Sequence, residues 1–109
     1  MEKNQENKIQ ELQMLEHNLQ NILMQKQAFQ LEISETSSAI KEIEKSNSDV
    51  YKIIGQLMIK KDSKEIKEEL KNKERLMKLR IGNLNKQEIS ITEQADKIRE
   101  EILGPMNKE

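Results

Sequence analysis

The sequence has no cysteine and no tryptophan, one proline, three glycines, one tyrosine and one phenylalanine. Without cysteine there is neither a disulfide framework nor thiolate chemistry, which fits a reducing compartment. Aromatic residues are 2% and apolar residues 34% of the 109-residue chain, too little apolar mass for a compact core and room for one domain at most. No apolar run approaches the length needed to cross a bilayer. The opening "MEKNQENKIQ" lacks the apolar core of a signal peptide, so a soluble, cytoplasmic protein without membrane contact is expected. No sign of charge dominates: 19 basic and 20 acidic residues interleave to a net charge of -1. A nucleic-acid footprint needs a clustered basic face, and none is present. There is no glycine-rich phosphate loop, no nucleophile beside a base and no paired His or Cys ligands. The chain is therefore not expected to be an enzyme or to carry a cofactor or metal.

Charged residues, 36% of the chain, give it the composition of long helices and coiled coils. Low hydrophobicity also suits disorder, but disorder calls for high net charge or absent periodicity. Periodicity is strong here. From about Lys3 to about Lys45 the apolar residues step by three and four: Leu12, Leu15, Leu19, Ile22, Phe29, Ile33, Ile40 and Ile43. Lys26 and Thr36 fill the two gaps, so eight of ten seam positions are apolar. That is a narrow coiled-coil seam, not the broad face of a globular helix. "SNSD", Ser46 to Asp49, favours a turn and ends this helix.

A second helix is expected from about 63 to 103. Asp62 suits its N-cap, and Glu65 could complete a capping-box-like pair. Its seam reads Ile66, Leu70, Lys73, Met77, Ile81, Leu84, Glu88, Ile91, Ala95, Ile98, Ile102, with two consecutive four-residue steps around Met77. Gly104-Pro105 is expected to end it. Two helices of nearly equal length on a short connector predict an antiparallel coiled coil, with Leu12 near Ile98 and Ile43 near Ile66.

Between the helices lies "VYKIIGQLMIKK". Val50 to Ile54 is rich in β-branched and aromatic residues, as in a strand. Gly55-Gln56 then predicts a two-residue type II′ turn and a β-hairpin over about 50–60. One face would carry Val50, Ile54, Leu57 and Ile59 with Lys52; the other would carry Tyr51, Ile53 and Met58 with Lys60. Both faces are mostly apolar. An isolated hairpin is marginal in water and exposes two unpaired edges. Val50, Tyr51, Ile53, Ile54, Gly55, Leu57, Met58 and Ile59 are therefore expected to form an assembly surface. The alternative is a hairpin packed only on its own helices.

"DVYKIIGQLMIKKDSKEIKEEL", followed by "KNKERLMKLRIGNLNKQE", resembles the archaeal-type β class of the prefoldin family. "NILMQKQAFQLEI" and "AIKEIEK" in the first helix fit as well, and the resemblance covers nearly the whole chain. The heptads are generic; the central "VYKIIGQLMIK" followed by "KEELK" is specific. The resemblance implies a subunit of an ATP-independent holdase chaperone. It implies a hexamer of two α-type and four β-type subunits, whose hairpins build β-barrels. Coiled-coil tips would capture non-native proteins and pass them to a group II chaperonin. The chain departs from this pattern in its short, polar N-terminal lead and its thin set of apolar residues at the extreme ends.

The implied tip residues are Ile9, Leu12, Leu15, Ile98, Ile102, Leu103 and Met106. Leu12, Leu15 and Ile98 also fit the seam, becoming accessible when a tip opens; Ile9, Leu103 and Met106 sit off it or past it. His17, at an outer heptad position, reads as solvated surface. Lys26 falls near Gly82 and is expected to fix register, its stem taking the room the glycine leaves; Glu88 is a similar case. Lys64, Glu65, Lys67, Glu68 and Glu69 read as a solvated face, with docking to a chaperonin rim as the functional alternative. The rival to a chaperone is a coiled-coil scaffold that assembles through the hairpin and binds folded partners.

Overall fold

The computed structural model describes residues 3–46 and 49–107, with the side chains of residues 105–107 left aside. The chain is mainly helical. Helix α1 spans Lys3–Lys45, strands β1 and β2 span Val50–Ile54 and Leu57–Lys61, and helix α2 spans Ser63–Asn107. The expected order is borne out: two long helices with an antiparallel two-stranded hairpin between them. Asn47 and Ser48 of the expected turn lie outside the described residues, as does Lys108-Glu109.

Helix α1 contains neither Gly nor Pro, so nothing breaks its hydrogen-bond ladder, which continues through Ser46 N–H to the Glu42 carbonyl at 3.0 Å. At the start of α2, the Asp62 carboxylate accepts from the Lys64 N–H at 3.4 Å and the Asp62 carbonyl accepts from the Ile66 N–H at 3.1 Å. The aspartate half of the expected cap is thus made, while Glu65 stays exposed.

The far end of α2 differs from expectation. The helix runs through Gly104 and Pro105 to Asn107 instead of stopping at residue 103. Among the described residues positive φ occurs only at Gly55, so Gly104 does not make the left-handed cap that would have turned the chain away. Pro105 forfeits one backbone donor, and in the final turn little of the ladder remains to be lost.

Two compact units make up the chain: Met1–Gln27 with Gly82–Glu109, and Ala28–Ile81. In the first, Ile22, Leu84, Ala95 and Ile98 are buried; in the second, Thr36, Ile40, Ile66 and Met77. Every α1 seam position is buried or half-buried. In α2 the seam shifts by one residue near its start. Lys73 is exposed and Glu74 is half-buried, so the consecutive four-residue steps fall at Ile66–Leu70–Glu74 instead of around Met77. From Glu74 onward the steps of three and four alternate without a break, the regular repeat of a coiled-coil seam.

Gly82 sits inside α2, and a Cβ added there would meet nothing within 4 Å. It therefore makes no room for Lys26. Because glycine inside a helix loses more backbone entropy than alanine on folding, Gly82→Ala should stabilise the free chain by about 0.5–1 kcal/mol. Chemical denaturation of the two proteins side by side measures this.

Candidate functional site

The hairpin pairs in the expected register: Tyr51 with Lys60, Lys52 with Ile59, Ile53 with Met58, Ile54 with Leu57, and additionally Val50 with Lys61. Gly55 has φ +60° while Gln56 does not have positive φ, which satisfies a type II′ turn and excludes type I′. This turn twists with its strands, and glycine reaches the required φ without steric penalty. The sheet has two strands, so each leaves one edge without a strand partner.

Its side chains are largely uncovered. Ile53 is 69% exposed, Met58 68% and Leu57 65%; Tyr51, Ile54 and Ile59 are also exposed. Val50, Lys52 and Lys61 are the half-buried members. An open groove of about 350 Å³ beside β1 is lined by Ala39, Ile43, Val50, Tyr51, Ile66 and Leu70, among others. The helices of the same unit thus cover one corner of the hairpin and leave both apolar faces open to water.

One polar contact ties the hairpin to α2. The Lys52 ammonium donates to the Glu69 carboxylate at 2.6 Å. That hydrogen bond, the Lys52 charge and a further contribution from the Lys61 charge together hold the Glu69 carboxyl below its usual range. Glu69 therefore belongs to this contact as well as to the solvated face assigned from sequence. A depressed folded-state pKa means that the unfolded chain binds more protons in acid. The contribution is present above the unfolded pKa and is lost as pH falls through the folded one. Lys52→Met should move the Glu69 titration upward toward the ordinary carboxylate range, read by NMR of the side-chain carboxyl. An unmoved titration would mean that Lys52 does not hold Glu69 in solution.

The first unit carries the second group of candidates. Ile98 is buried, Ile9, Leu12, Leu15 and Ile102 are half-buried, and Leu103 is exposed. The Met106 side chain lies outside the described residues. Ion pairs cross between the helices here: Lys8 with Glu101 at 3.6 Å, and Arg99 with Glu16 at 3.2 Å. Arg99 also meets Asp96 at 2.8 Å.

Lys26, expected near Gly82, instead donates to Glu88 at 2.6 Å. Two polar positions of the apolar seam thus satisfy each other, with side chains 19% and 32% exposed. A partly desolvated ammonium is better served by a carboxylate than by empty space, and the long lysine stem gives it the reach to find one.

In the second unit Lys67 pairs with Glu44 at 3.2 Å, and the Arg80 guanidinium lies 5.8 Å from the centre of the Phe29 ring. Sequence reasoning did not single out a set of exposed apolar side chains off the seam: Met14, Leu23, Met24, Leu31, Leu76, Leu79 and Ile89. Their spacing gives no single stripe, so periodicity does not find them. Among the described residues no group of three or more His, Cys, Asp or Glu is placed to hold a metal ion, and no helix is long and apolar enough to cross a membrane.

Comparison with known proteins places this geometry. Residues 6–108 match the family described as prefoldin subunit. The chain is 36% identical over 86 residues to the prefoldin subunit beta of Pyrobaculum arsenaticum, covering 77% of this chain and 69% of that one. It is 34% identical over 106 residues to the prefoldin subunit beta of Methanothrix thermoacetophila, covering 93% and 88%. The crystal structure of the prefoldin beta subunit from Thermococcus strain KS-1 superposes with a TM-score of 0.87 at 28% identity, covering 95% of this chain and 93% of that one.

Proposed function

Because this chain belongs to the prefoldin family, whose members are chaperone subunits, we propose that it serves in the cytoplasm as a β-type subunit of an ATP-independent holdase. Four copies join two α-type subunits through their hairpins. The coiled-coil tips then capture non-native proteins and deliver them to a group II chaperonin. The observation that carries this reading is the hairpin, apolar and exposed on both faces with two open edges. A sheet of that kind has little reason to persist in water unless other chains cover it.

Capture itself is assigned to Ile9, Leu12, Leu15, Ile98, Ile102, Leu103 and Met106. Each contact is weak, and several tips on one frame raise avidity through effective concentration. The half-buried state of most of these residues supports capture by a tip that opens, with Leu103 offering first contact.

The test uses the chain co-expressed with an α-type subunit from the same genome. The complex should have the mass of a hexamer and suppress aggregation of an unrelated heat-unfolded enzyme without ATP. Deleting residues 1–12 and 99–109 should leave the hexamer intact and raise the concentration needed for suppression at least tenfold. Full suppression by the truncated hexamer would overturn the tip assignment. A hexamer with no suppression in any form would instead mark a scaffold for folded partners.

A further inference from the structure

Four methionine side chains are described, and they fall into three environments. Met77 is buried in the second unit at 4% exposure. Met14 and Met24, at 65% and 67%, lie on the outside of α1, off its seam. Met58, at 68%, sits on β2 directly across from Ile53, on the hairpin face that also bears Tyr51. Three methionine side chains are therefore about equally exposed in the free chain. One of them stands on a surface that assembly has to dry.

We propose that Met58 is an oxidation site gated by assembly. In the free subunit a two-electron oxidant of the peroxide class converts its thioether to the sulfoxide, and the modified hairpin is rejected from the complex. The proposal rests on the reading of the hairpin as the assembly surface. With hydrogen peroxide the sulfur supplies the electron pair, the O–O bond breaks, one oxygen is transferred to sulfur and water leaves. The product replaces a flexible apolar side chain with a polar, chiral one. On the Tyr51–Ile53–Met58 face a strongly polar sulfoxide oxygen would have to be desolvated where an apolar thioether stood across from Ile53, which opposes association. The same change at Met14 or Met24 leaves the new oxygen in water and does nothing to the seam. Once the hairpins have joined, Met58 is covered and the reaction is closed to it. Because sulfoxide reductases restore the thioether, the block is reversible.

The experiment treats the free chain with hydrogen peroxide, adds the α-type subunit and reads native mass. Oxidised wild type should yield at least tenfold less complex than untreated chain. Met58→Leu, similar in volume and without sulfur, should assemble equally well before and after treatment. Methionine sulfoxide reductases should restore assembly of the oxidised wild type. In a second arm peroxide is added to the preformed complex and peptides are followed by mass spectrometry. There Met58 should oxidise at least tenfold more slowly than in the free chain, while the rates at Met14 and Met24 stay the same. The proposal is overturned if Met58 oxidises equally fast in both states, or if oxidised wild type assembles as well as the untreated chain. Failure of the untreated chain to assemble is a different result, which removes the assembly reading along with the gate.

Discussion

Replacing Ile53 and Leu57 together by aspartate should abolish assembly while leaving the helices of the free chain intact. The two residues point to opposite faces of the hairpin, so the pair spoils both. Each is about two-thirds exposed, which means that little native packing within the chain depends on it. The cost falls on association. Covering the six exposed apolar side chains of the hairpin is worth on the order of 5–10 kcal/mol per chain, at about 1.5–3 kcal/mol for a full side chain and roughly half of each still to be buried. Aspartate removes part of that gain and adds an unpaired carboxylate, which costs several kcal/mol to bury. At about 1.4 kcal/mol per tenfold, the association constant should fall by a factor on the order of a thousand or more. Native mass with the α-type subunit reads the loss, and far-ultraviolet circular dichroism checks the helices. A hexamer formed by the doubly substituted chain would mean that the hairpin is not the joint.

Met77→Ala should be the most damaging single truncation in the second unit. At 4% exposure Met77 is a large side chain held almost wholly out of water. Truncating a buried methionine forfeits its transfer free energy and leaves a cavity that closes only in part, together about 2–5 kcal/mol. Two helices and a hairpin have few buried side chains over which to spread such a loss, so the upper half of that range is expected. A fall in the midpoint of urea denaturation at unchanged slope would report it. A change below about 1 kcal/mol would mean that the seam at Met77 opens in solution.

The hairpin was fully legible because its determinants are local. A glycine at the first central turn position and a two-residue loop fix the register, and the alternation of side chains follows from it. The outer limits of α1 were legible because no breaker falls within it and turn-forming residues follow it. The seam was legible wherever apolar residues mark it, and it failed by one residue where they do not. Lys73 and Glu74 are both polar, so only the fold distinguishes exposed from half-buried. The partner of Lys26 was missed for a related reason. Counting outward from the turn locates the facing backbone, whereas a long charged side chain chooses among several residues by charge. Matching opposite charges across the helices would have found both Lys26–Glu88 and Glu16–Arg99. The end of α2 was misread because Gly-Pro permits a stop without compelling one. The choice between seam and client contact at the tips was not legible, since the same leucines and isoleucines suit both.

The Lys26–Glu88 pair has a further consequence, for how such a sequence can change over generations. Losing Glu88 alone strands a partly buried ammonium, and losing Lys26 alone strands a carboxylate, so neither position can drift by itself without weakening the coiled coil. Removing both in favour of apolar residues of similar volume need not weaken it, since replacing a buried ion pair with hydrocarbon is often neutral or stabilising. The two sites, 62 residues apart in the chain, therefore behave as one heritable unit. Lineages should keep both charges, exchange them, or lose them together.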